Sequence, residues 1–135
     1  MKPEELFIGA IVSFENRPCT VEHIERGIVC IKDIQTKTSH WITLTTDDIQ
    51  PVPITPEILE KNGFSTIDIE GDIKQSETGG FYVWYEIDSN ILGIEEDTST
   101  YAGESSETLM KLRIFNVHEL QAAMRLCGIE KEIIL

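Results

Sequence analysis

The chain has 135 residues, with 24 acids against 11 bases and a formal net charge of -13, a length that removes roughly two-thirds of its unfolded surface from water in one domain or two small subdomains. The excess is uneven: residues 51 to 110 hold 13 acids against 2 bases, and this field opposes phosphate backbones and disfavours nucleic acid as a partner. No apolar run approaches the about 18 residues of a membrane span, the opening Met1-Lys2-Pro3-Glu4-Glu5 is acidic where a signal peptide is apolar, and Cys19, Cys30 and Cys127 form no C-x-x-C pair, so the expectation is a cytoplasmic protein with reduced thiols and no membrane partner.

Residues 7 to 54 read as short strands broken by tight turns. Ala10 to Phe14 is apolar and ends in the turn cluster Glu15-Asn16-Arg17-Pro18, which leads into a second strand from Cys19 to Glu25. Arg26-Gly27 makes the next turn before Ile28-Val29-Cys30-Ile31, a run expected to be buried on both faces. Ser39 to Leu44 follows, with His40 in phase with Ile42 and Leu44 and therefore expected against the core. The prolines of Ile49 to Ile54 confine that segment to a sheet edge.

Thr55-Pro56-Glu57 opens a helix: Thr55 can cap the free amides, Pro56 suits the first helical position and Glu57 complements the positive end of the dipole. Asn62-Gly63 ends it in a left-handed cap, which lets Phe64 fold back onto Ile58 or Leu59. Residues 65 to 80 read as a strand fragment, Thr66 to Ile69, and a loop. Phe81 to Ile87 is the clearest strand, with Phe81, Val83, Tyr85 and Ile87 on one face and Tyr82, Trp84 and Glu86 on the other. Asp88-Ser89-Asn90 turns it into Ile91 to Glu95. A polar loop from Thr98 to Glu107 precedes Leu109 to Phe115, whose Lys111 and Arg113 are expected to pair with Glu86 or Glu95.

The last helix starts at Asn116 with Glu119 in capping-box position, carries Val117, Leu120, Met124 and Cys127 as one apolar stripe and stops at Gly128. Its other flank presents His118, Gln121, Ala122 and Arg125. His118 is expected to meet a loop carbonyl or water.

No catalytic constellation emerges. His23, His40 and His118 lie on separate elements without a partner at metal-ligand offsets, no Cys or Ser stands in an activating motif, and Gly79-Gly80 lacks the Lys-Ser or Lys-Thr of a phosphate cradle. Carboxylates such as Asp47-Asp48 and Glu95-Glu96-Asp97 are adjacent because acids are abundant. What remains is a candidate binding surface of Trp41, Tyr82 and Trp84, large aromatics of the kind that anchor interfaces, together with His118 and Gln121.

Three segments occur in order across almost the whole length: Leu6-Phe7-Ile8-Gly9, the stretch from Ile49-Gln50-Pro51 to Asn62-Gly63-Phe64, and Val117-His118-Glu119-Leu120-Gln121. In these the chain resembles a family of small proteins encoded in prophage and other mobile-element regions of gut anaerobic bacteria. That family usually has Asn and then Leu-Tyr after the glutamine, where this chain has Ala122, Ala123 and Met124. What the resemblance implies is provenance; no activity is established for the family, so no catalytic or binding residue carries over.

The expectation is an α+β, mainly β protein. A small SH3-like or curled N-terminal sheet occupies residues 1 to 54, and residues 55 to 135 form an antiparallel sheet with two short helices, at about 56–61 and 117–127, and strands at about 81–87, 91–95 and 109–115. It is expected to act without catalysis, cofactor or metal, through contact with a protein partner or a second copy of itself. The alternative is a nucleic-acid-related module, either a weakly binding barrel using Arg17, Arg26, Lys32 and Lys37 or an acidic DNA mimic.

Overall fold

The computed structural model describes residues 1, 3–43, 48–98 and 106–135. The protein is mainly β, and the described residues form two compact units.

The first unit, Met1–Pro53 with Asn116–His118, holds an antiparallel sheet of β1 (Ile11–Phe14), β2 (Arg17–Glu25), β3 (Ile28–Asp33), β4 (Ser39–Thr43) and β5 (Ile49–Pro51). The order is β4-β3-β2-β1-β5, and the sheet curls into a half-barrel, as expected of a small curled sheet. Turn chemistry sets the registers. Glu15 and Asn16 both take left-handed backbone, at φ 51° and 61°, forming a two-residue primed turn, so Pro18 sits inside β2 opposite Ser13. A bulge between Val21 and His23 bends β2. After β3 the Asp33 carboxylate accepts from the Gln35 and Thr36 N–H groups at 2.8 and 2.9 Å and takes an ion pair from Arg17 at 2.8 Å. The curl encloses Ala10, Val12, Cys19, Val21, Val29, Ile31, Ile42 and Ile49. His40 departs from expectation: it lies exposed on edge strand β4, its ring 5.8 Å from that of Phe14, because only Ile42 of this strand reaches the core. Leu44, the third residue of that phase, lies outside the described residues. As expected, β5 with its proline forms a sheet edge.

The second unit, Ile54–Phe115 with Glu119–Leu135, contains α1 (Pro56–Lys61), β6 (Ser65–Thr66), β7 (Ile73–Thr78), β8 (Phe81–Glu86), β9 (Ile91–Asp97), β10 (Ser106–Arg113) and most of α2 (Val117–Leu126). Its sheet is an antiparallel meander in the order β10-β9-β8-β7-β6. Both helices end in matching caps. Thr55 Oγ1 accepts from the Ile58 N–H at 3.2 Å; beyond the helix, Gly63 takes φ 84° while the Gly63 and Phe64 amides return to Glu60 and Leu59. In α2 the Gly128 and Ile129 amides return to Arg125 and Met124 in the same double pattern. Glu119 reaches back one residue further than a capping box, to the Phe115 N–H at 3.2 Å.

The structure corrects the reading of residues 65 to 80. Ile73 to Thr78 is a full strand, paired residue by residue with β8 through a turn at Gly79 and Gly80, both at positive φ. Its polar composition concealed it, since Lys74 and Ser76 are buried in spite of their chemistry. β9 and β10 extend to Asp97 and begin at Ser106, past the limits set by their apolar residues. Residues 99–105 of the expected loop lie outside the described residues.

Candidate functional site

Residue alternation on β8 divides the second sheet into two faces. Val83 and Tyr85 are buried, and they share their face with Leu92 and Ile94 of β9 and with Lys74 and Ser76 of β7 through direct cross-strand pairing. The helices and the C-terminal tail lie on this side: Lys74 Nζ donates to Glu60 Oε1 of α1 at 2.8 Å, Lys131 Nζ donates to Ser76 Oγ at 2.9 Å, and Tyr85 Oη donates to the Ile114 carbonyl at 3.0 Å. Burial, with the Glu119 carboxylate of α2 as a lesser cause, raises the Tyr85 pKa.

The opposite face carries Tyr82 and Trp84. Register sets Gln75, Trp84, Gly93 and Lys111 in one row across β7, β8, β9 and β10, with Glu77, Tyr82, Glu95 and Thr108 in the next. The Trp84 indole lies directly on Gly93, where a β-carbon would occupy the space of the ring. Lys111 Nζ sits 5.9 Å from the indole centroid, a cation–π arrangement. Tyr82 Oη donates to Asp97 Oδ2 at 3.3 Å. These contacts hold two half-buried aromatics in fixed positions. The register also corrects the expected ion pairs: Lys111 stands opposite Gly93 and Arg113 opposite Ile91, so neither has a carboxylate as its direct cross-strand neighbour.

The remaining candidates do not join this face. Trp41 projects from edge strand β4 of the first unit, 58% exposed and edge-on to His23 at 5.8 Å. Gln121 belongs to α2, on the Tyr85 side of the sheet. His118 is 4% exposed, which removes it from the surface the sequence suggested. The helical wheel misplaced it because residues 116 to 118 join the first unit, where Val117 N–H donates to the Val52 carbonyl at 2.7 Å and Asn116 bridges Pro53.

Other reactive groups have structural work. Burial raises the Cys19 and Cys127 pKa values and keeps these thiols from the nucleophilic thiolate. Burial lowers that of Lys131, which bonds Ser76 and lies 5.3 Å from the Phe64 ring centroid, but Ser76 is 4% exposed and its hydroxyl is closed to a substrate. Asp72 first, then desolvation, raises the Asp88 pKa. Two of the four proposed phosphate contacts are engaged within the sheet, Arg17 with Asp33 and Lys32 with Glu22 at 3.6 Å. Sequence reasoning missed Gly93 and Gln75, whose placement depends on register; the one available signal was the lone glycine in the apolar run of β9, which marks close approach of another group. It also missed a cleft on the outer face of β1 and β5 in the first unit.

No family model, curated protein or solved structure matches the chain.

Proposed function

We propose that this chain is a non-catalytic accessory protein that works by contact with a protein partner, and that the Tyr82–Trp84 face of the second sheet is the contact surface. The observation that carries the reading is the seating of Trp84 on Gly93, on the side of the sheet away from both helices. Tryptophan and tyrosine dominate interface energetics because a rigid, partly polar ring buries much area at small entropic cost. The surrounding Glu77, Glu95 and Lys111 supply a polar rim. The resemblance to mobile-element proteins supplies the setting, a cytoplasmic accessory role in a prophage or related element.

The test combines light scattering after size-exclusion chromatography with affinity capture from a host carrying the element. Self-association or a specific captured protein is expected with the wild type and is lost in Trp84→Ala and in Lys111→Glu, the second a surface change that spares the fold. A monomer that captures nothing, or capture unaffected by both variants, overturns the proposal.

A second reading draws on the 13 acids against 2 bases between residues 51 and 110: an acidic surface that occupies the DNA groove of a basic host protein. Its signature is capture that weakens steeply with salt and is competed by duplex DNA.

A further inference from the structure

Charges on the Tyr82–Trp84 face are sorted by strand. Alternation and register place Glu77 of β7, Glu86 of β8 and Glu95 of β9 on this face, with Lys111 and Arg113 of β10 beside them. Acids therefore occupy one side and bases the other. None of these five has an ion pair with a described residue.

The pattern is complementary to its own copy. Turned over about an axis parallel to the strands, a second copy lays its β10 over β7 and its β9 over β8, with positions along the strands unchanged. In the row Gln75, Trp84, Gly93, Lys111, the second copy's Lys111 comes to Gln75, about 6.6 Å along β7 from Glu77. In the row Ile73, Glu86, Ile91, Arg113, its Arg113 comes to Ile73, one strand spacing of about 4.8 Å from Glu86. Lysine and arginine side chains span both gaps. An axis across the strands would instead set β10 over β10 and oppose base to base. The Trp84 indole, leaning from β8 onto Gly93 of β9, occupies the middle of the four strands, where the first axis passes and where an interface has its anchor.

We propose that the occupant of this face is a second copy of the chain, in a two-fold dimer whose faces pack with their strands aligned. This rests on the contact surface proposed above and names what covers it. Four strands give a face of about 15 by 20 Å, small for a permanent interface, so the dimer is expected to be reversible at micromolar concentrations.

The experiment is sedimentation equilibrium of the full chain from about 10 to 500 μM, at about 0.15 M salt to screen the repulsion between two chains of charge -13. A monomer–dimer equilibrium is expected, absent in Trp84→Ala. The double variants Lys111→Glu, Arg113→Glu and Glu77→Lys, Glu86→Lys, each shown to be folded by circular dichroism, should self-associate at least about tenfold more weakly. Mixed in equal amounts they should dimerise again, because the acids placed on β10 of one meet the bases placed on β7 and β8 of the other, while the opposite contact keeps its native charges. A wild type that stays monomeric over this range, or a mixture that does not recover, overturns the second copy as occupant. Capture of a host protein that Trp84→Ala abolishes would then leave the contact surface standing, whereas dimers indifferent to Trp84→Ala overturn both.

Discussion

Two residues show how much a single side chain can hold. Asn62 is 7% exposed; its Nδ2 donates to the Ile58 and Ile134 carbonyls at 2.8 and 2.7 Å, and its Oδ1 accepts from the Ile134 N–H at 2.7 Å. One amide thus finishes α1 and ties down the C-terminal tail. Asn62→Asp keeps the shape but replaces the donor with a charge facing two carbonyls, and a cost of about 2 to 4 kcal/mol in urea unfolding is expected at neutral pH. Gly93 is the second case. A methyl group there overlaps the Trp84 indole, so Gly93→Ala should cost about 1 to 3 kcal/mol and move the ring into water. In a Trp41→Phe background the red shift of Trp84 emission reports that displacement; an unchanged spectrum would show that the indole does not rest on Gly93.

At the scale of elements, the turn after β3 depends on one ionised group. Hydrogen bonding from the Thr36 amide, ahead of the Gln35 amide and the Arg17 charge, holds the Asp33 pKa below its ordinary 3.8. A carboxyl whose folded pKa is depressed contributes stability that is present above its unfolded value and lost as pH falls through the folded one. Asp33→Asn should therefore lower the melting temperature at pH 7, and the gap to the wild type should narrow as pH falls below about 4, as read by circular dichroism. A gap constant with pH would place the effect in shape and not in charge. Elements with local signatures were legible: Thr55-Pro56 and Asn62-Gly63 bracket α1, and alternation over Phe81 to Ile87 marks β8. β7 was not, because Lys74 and Ser76 occupy buried positions made tolerable by Glu60, Thr66 and Lys131, partners as far as 55 residues away in sequence.

For the whole molecule, the net charge of -13 is a destabilising self-repulsion that salt screens. Raising NaCl from about 0.02 to 0.5 M should raise the midpoint of urea unfolding. A falling midpoint would mean that ion pairs such as Lys74–Glu60 and Arg17–Asp33 outweigh the repulsion. The two units are not consecutive in sequence. Asn116–His118 belong to the first unit, although the sixty-two residues that precede them, Ile54–Phe115, belong to the second.

Hydrophobic alternation, capping residues and turn-forming pairs act over a few positions, and they were sufficient for the mainly β class, the curled first sheet, the edge position of Ile49–Pro51 and both helices. Register, burial of polar groups and the return of residues 116 to 118 are settled by partners distant along the chain. For that reason only the folded protein could seat Trp84 on Gly93, withdraw His118 from the surface, expose His40 and set Glu77 and Glu86 across one face from Lys111 and Arg113.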